Sequence, residues 1–121
     1  MPISDAESLI MSVLWNKAPQ TADKVIEAVS KSQVWSPQTT RTLLNRLLKK
    51  GAITAEKDGR KYLYSPVVSR DDYVHAESSG LLGRLFDGRL APLVTHFAQR
   101  DALSSEDIKE LRALLDRLED E

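Results

Sequence analysis

The sequence predicts an α+β chain that is mostly α, and three observations carry that expectation. Apolar residues recur at helical spacing behind cap residues along most of the chain. One stretch, 52–65, alternates instead, and Asp58-Gly59 interrupts it as a favoured hairpin turn pair. Three helical patterns precede this hairpin and three short ones follow it. Three helices and then a hairpin is the order of a winged helix-turn-helix, expected over residues 1–68, with a three-helix domain over 69–121.

Taken in order, Ser4-Asp5-Ala6-Glu7 is a capping box, and Ala6, Leu9, Ile10, Val13 and Leu14 form the apolar stripe behind it. This helix ends near Trp15-Asn16, before Pro19. Thr21 caps a second helix with Ala22, Val25, Ile26 and Val29 inward. Ser36 caps a third, Pro37 suits its first position and Gly51 its stop. Strands 52–57 and 60–65 then flank the turn. Tyr62 and Tyr64 alternate with Leu63, so both are expected to pack against helices. Ser69 caps a fourth helix, in which Gly80 and Gly83 mark a bend or a close contact. Asp87-Gly88 breaks it. A short segment with Leu90, Leu93, Val94 and Phe97 follows. Ser104 caps the last helix, with Asp107 three residues on and a Leu103–Ile108 staple.

The third helix says most about function. Leu43, Leu44, Leu47 and Leu48 share a stripe with Thr40; the opposite side carries Gln38, Thr42, Asn45 and Lys49, with Thr39, Arg41 and Arg46 at its edges. That outer side holds amides, hydroxyls and positive charges and no acid, which are the groups that read base edges and hold phosphates. Arg41 is the candidate for bidentate contact with guanine and Gln38 for adenine, both near the N-terminal end that enters a groove. Asn45, Arg46 and Lys49 suit phosphates or groove edges. Thr21, at the start of the second helix, suits a phosphate. Lys57, Arg60 and Lys61 make the wing tip positive.

Charge divides the same way. The net charge of −1 combines eleven Lys and Arg against six acids in residues 1–70 with six against twelve in 71–121. A polyanion-binding part and a part with another task are implied. No apolar run is long enough to span a membrane, and the polar start is unlike a secretory signal. Zero cysteines exclude a disulfide framework and thiolate chemistry, and fit a cytoplasmic location. His75 and His96 lie far apart, so neither a metal nor another cofactor is expected.

About fifty residues in three short helices are too few to bury their own apolar side chains. Tyr73, Leu81, Leu82, Leu85, Phe86, Leu90, Leu93, Val94, Phe97, Ile108, Leu111, Leu115 and Leu118 are therefore read as a homodimer core, in preference to a ligand pocket. Two-fold symmetry would bring two recognition helices to two half-sites of a palindrome.

Trp35-Ser36-Pro37, Thr39, Arg41-Thr42, Leu47, Lys49-Lys50-Gly51, then Gly59-Arg60, Tyr62, Tyr64 and Pro66 resemble the penicillinase-repressor family, the group of BlaI, MecI and CopY transcriptional repressors. The resemblance extends from Ile3-Ser4-Asp5-Ala6-Glu7 to Leu103–Leu111. It implies a dimer that occupies a palindromic operator on double-stranded DNA and blocks transcription. Gln38, Thr39, Arg41, Thr42 and Arg46 would then face the major groove, and Lys57, Arg60 and Lys61 the backbone. Members that respond to β-lactams are released when a membrane sensor protease triggers cleavage at an Asn-Phe bond; this chain departs from that pattern, with His96-Phe97 at the matching place, which leaves the releasing signal open. The cysteine-rich motif of copper-responsive members has no counterpart.

Two other classes of function compete with this reading. A winged-helix module could present its basic face to an acidic protein partner. An enzyme is rejected, because the sequence has no Gly-rich phosphate loop, metal-ligand spacing or nucleophile-base motif.

Overall fold

Side-chain caps set where the helices start. Ser4 Oγ accepts the Glu7 N–H at 3.1 Å while Glu7 Oε1 accepts the Ser4 N–H at 2.9 Å, the reciprocal capping box. Thr21 Oγ1 accepts from Lys24 N, Ser36 Oγ from Thr39 N, Ser69 Oγ from Asp72 N and Ser104 Oγ from Asp107 N. The computed structural model describes residues 2–120. Its elements run α1 (Asp5–Asn16), α2 (Ala22–Ser30), α3 (Pro37–Lys50), β1 (Ile53–Asp58), β2 (Lys61–Pro66), α4 (Arg70–Leu85), α5 (Leu90–Gln99) and α6 (Ser105–Glu119). Three helices and a hairpin therefore precede three more helices, the winged helix-turn-helix order with a helical second half.

The end of α3 shows how one residue turns helix into wing. Gly51 has φ +77°, its N–H donates to Leu48 O at 3.0 Å, and the Ala52 N–H donates to Leu47 O at 3.0 Å. This is the Schellman arrangement, closed by the fully buried Ala52 and Leu47. A side chain at Gly51 would be strained by the positive φ.

The hairpin differs by one residue from the expected one. Asp58 pairs with Lys61, so the two turn residues are Gly59-Arg60 and not Asp58-Gly59. Gly59 has φ +65°, and Arg60 has no positive φ. A turn with glycine first and a left-handed φ there alone follows the II′ pattern; an I′ turn would force Arg60 into a costly conformation.

The chain divides into two compact units, after Val74 and thus within α4, six residues beyond the boundary expected from sequence. In the first unit Ile10, Met11 and Leu14 of α1, Val25 and Val29 of α2, Leu43, Leu44 and Leu47 of α3, and Ala52 and Ile53 form the core. The expected α3 stripe is the buried one, Thr40 included. Met11 takes a place in the core that was not expected, whereas Leu9 lies at the surface. Trp15 Nε1 donates to Val68 O at 2.9 Å, and its ring sits 5.3 Å from that of Tyr73. Tyr73, read from sequence as a dimer residue, therefore packs within the winged unit, because the first turn of α4 runs past Trp15.

In the second unit α4, α5 and α6 bury no residue. The short segment after Gly88 is the ten-residue α5. A Cβ at Gly83 would meet nothing within 4 Å and one at Gly80 only the end of Arg84, so the expected close helix contact is absent there. Among the described residues no helix is long and apolar enough to cross a membrane.

Glu7 ties the start of α1 to the end of α3. It is 2% exposed, and its Oε1 also accepts from Lys50 Nζ at 2.5 Å, while Nζ donates to Pro2 O at 2.9 Å. Burial pushes the carboxyl up, but the bonds from Lys50 and Ser4 and the Lys50 charge outweigh it, leaving it below the ordinary carboxylate value. A depressed native pKa stabilises the fold above the unfolded value of about 4.3, and this contribution is lost as pH falls through the native value. Glu7→Gln is expected to lower stability at pH 7 by about 1–2 kcal/mol, below the full cost of a broken buried pair because Lys50 can reach water. Urea denaturation of both proteins at pH 7 and pH 3.5 checks this. The gap should narrow at the lower pH, and a constant gap would rule out the charge as its source.

Candidate nucleic-acid interface

With Thr40, Leu43, Leu44 and Leu47 buried, geometry leaves α3 one outward side. Gln38, Thr39, Thr42, Asn45, Arg46 and Lys49 are exposed on it, and Arg41 is half-buried at its edge. Thr39 Oγ1 lies 3.1 Å from Ser36 Oγ, so the cap engages this hydroxyl and Gln38 and Thr42 point out without such a tie. No acid belongs to α3 itself. Lys49 and Lys50 occupy its last turn, where positive charge complements the helix dipole.

The wing is fixed against this helix through α2. Gln20 and Tyr64 exchange backbone hydrogen bonds, Gln20 N to Tyr64 O at 3.0 Å and Tyr64 N to Gln20 O at 2.8 Å. The buried Gln20 side chain donates to Val13 O and Lys17 O. This single bridge makes the residue before the α2 cap a third, minimal strand beside β2. Lys57, Arg60 and Lys61 are all exposed around the turn. Arg60 moves into the turn itself because of the one-residue change in register.

Thr21, Ala22 and Asp23 of the α2 start face Lys61, Tyr62 and Tyr64 across a crevice of about 130 Å³. It joins the N–H groups of a helix N-terminus to a lysine, a combination suited to an anion, and to the Asp23 carboxylate, which opposes one. The Thr21 hydroxyl oxygen accepts the cap bond from Lys24 N, which leaves its O–H as a donor beside the helix N-terminus. Tyr62 departs from expectation: it is 51% exposed, whereas Tyr64 packs on the core. Both lie on one face of β2, but only the Tyr64 end reaches the helices; Tyr62, paired with Lys57, is further toward the tip. Trp35 packs against the core just before α3, fixing the entry to that helix.

Sequence reasoning missed one group at this surface. Arg41 Nη2 donates to Asp23 Oδ1 at 3.1 Å, so the candidate base reader is held by an acid from the neighbouring helix. The eighteen-residue separation hides this pair; the signal available was an acid in the first turn of α2. His96 and Phe97 lie within α5 with rings 5.5 Å apart. Among the described residues no group of His, Cys, Asp or Glu is arranged to hold a metal ion.

Comparison with known proteins agrees with this arrangement. The chain matches the penicillinase repressor family over residues 3–117. It is 40% identical over 114 residues to the penicillinase repressor of Bacillus licheniformis, covering 94% of this chain and 89% of that one. It is 35% identical over 115 residues to the methicillin resistance regulatory protein MecI of Staphylococcus aureus, covering 95% and 94%. Its fold is similar to the solution structure of the Bacillus licheniformis BlaI monomeric form in complex with the blaP half-operator, at 42% identity and a TM-score of 0.54, covering 60% of this chain and 89% of that one. With a match that spans both compact units, the protein belongs to the penicillinase repressor family.

Proposed function

We propose that this protein is a homodimeric transcriptional repressor that occupies a palindromic DNA operator, with α3 in the major groove and the wing on the backbone. The observation that carries it is the acid-free, exposed side of α3, flanked by the basic turn at Gly59-Arg60 and fastened to it through Gln20 and Tyr64. Repression by occupancy needs no catalysis. Gln38, Arg41 and Thr42 are assigned to base edges; Thr39, Asn45, Arg46, Lys49 and the α2 N-terminus at Thr21 to phosphates or groove edges; Lys57, Arg60 and Lys61 to the backbone. The BlaI half-operator complex supports this reading, since a relative of the same fold is a DNA binder there.

The dimer is assigned to residues 69–121. Leu85, Leu90, Phe97, Ile108, Leu115 and Leu118 are between 40% and 67% exposed, more apolar surface than a lone soluble unit tolerates. Leu81, Leu82, Leu93 and Phe97 line an open groove of about 520 Å³ on the same unit. Phe86, Val94 and Leu111 are half-buried and extend this apolar set. A second copy covers it. A membrane sensor protease is the partner class that the family implies for release, but His96-Phe97 stands where β-lactam-responsive members have Asn-Phe, and this departure leaves the releasing signal open.

Gel shift of genomic fragments with the full chain, in excess random-sequence competitor, tests the function. Retention of particular fragments is expected, and retention of none would leave an acidic protein partner as the reading. Lys61→Ala should weaken every duplex alike and lower the slope of log affinity against log salt by about 1, as loss of one phosphate contact does. Anisotropy titrations across a salt series measure this, and an unchanged slope would remove Lys61 from the backbone contacts.

A further inference from the structure

We propose that Asp23 is a positioning residue for base reading: it holds the Arg41 guanidinium in one pose at the edge of α3 and thereby sharpens the preference for the base that Arg41 reads. The inference rests on the base-reading role given to Arg41 above. Asp23 is the second residue of α2 and Arg41 the fifth of α3, and their 3.1 Å bond crosses between the two helices of the helix-turn-helix. Both side chains are open to solvent, Arg41 at 43% and Asp23 at 69%. An exposed pair of this kind adds little to fold stability, so its loss should leave the protein folded.

The geometry of the pair leaves the reading edge free. The bond to Asp23 engages Nη2 alone, and among the described residues no other group is bonded to Nη1 or Nε. A guanidinium has five N–H donors in a rigid plane, and a bidentate contact with guanine O6 and N7 needs two. An unsupported arginine must lose the freedom of its long side chain when it binds, and can swing to a phosphate instead of a base. A carboxylate that fixes one corner of the plane reduces both effects. The same negative charge repels the phosphates of every duplex, cognate or not, so on its own it lowers affinity without adding selectivity. The fixed pose raises selectivity, and the charge lowers affinity for arbitrary sequence.

The test uses the full chain and operator duplexes substituted one base pair at a time. Arg41→Ala locates the base pair that Arg41 reads, as the position where preference collapses. Asp23→Ala should lower the preference at that same position by about fivefold or more, part of what one bidentate contact supplies. It should leave other positions unchanged and raise affinity for random-sequence duplex. Asp23→Asn, which keeps an acceptor without the charge, should fall between. Combined with Arg41→Ala, Asp23→Ala should alter no preference. If Asp23→Ala raises affinity for every duplex equally and preference at the Arg41 position holds, Asp23 is only a repelling charge and the proposal is overturned. If Arg41→Ala changes preference nowhere, the base-reading role itself is wrong and the proposal falls with it.

Discussion

Leu85→Asp together with Phe97→Asp is expected to convert the protein from a dimer to a monomer and to weaken operator binding by about 10²–10⁴-fold, the range over which linked sites exceed single ones. Leu85 is 67% exposed and Phe97 44%, so neither supports a core within its own unit. Their substitution should therefore spare the fold of the winged unit. Two carboxylates placed in an apolar interface would have to be desolvated on both copies, which opposes association strongly. Light scattering reads the mass, and binding to a half-site duplex reads the surviving winged unit. Monomers should bind full and half operators about equally. A dimer that survives both substitutions would move the interface elsewhere on the chain.

Arg41→Ala is expected to cost about 1–3 kcal/mol on the cognate operator and to relax base preference at one position in each half-site. The charge loss alone would act differently, weakening all duplexes through the phosphates and lowering the salt slope. The pattern across substituted operators separates the two. Uniform weakening would assign Arg41 to the backbone and return base reading to Gln38 and Thr42. The substitution also frees the Asp23 carboxylate, so part of the measured loss reflects an uncompensated negative charge near DNA. The Asp23→Ala, Arg41→Ala pair separates that part.

What could be read in the sequence followed from local rules. Caps at Ser4, Thr21, Ser36, Ser69 and Ser104 fix helix starts because a side-chain oxygen and an N–H three residues on suffice to satisfy the orphan donors. The α3 stripe followed from helical periodicity, and the outer face followed from the stripe. The turn was misplaced by one residue because Asp58-Gly59 and Gly59-Arg60 are both plausible pairs locally. Backbone pairing of Asp58 with Lys61 decides between them. The interactions that escaped the sequence join residues far apart: Glu7 with Lys50, Asp23 with Arg41, Gln20 with Tyr64 and Trp15 with Tyr73. Each depends on how elements distant in sequence are brought together. Glu7 was legible only as a capping residue, although its tie to Lys50 is what anchors the end of α3.

The division of labour is also physical. The winged unit buries a core of its own and carries the basic surface; residues 75–120 bury nothing and carry acids outside an apolar set. The proposed dimer would complete such a unit, and its two-fold symmetry would dictate the form of the DNA site.

Selection of bound duplexes from a random-sequence pool by the full chain tests this account most directly. It predicts an enriched site made of two inverted half-sites whose centres lie about 10 base pairs, or a multiple of that, apart. Enrichment of a single unrepeated motif, or of none, would contradict it.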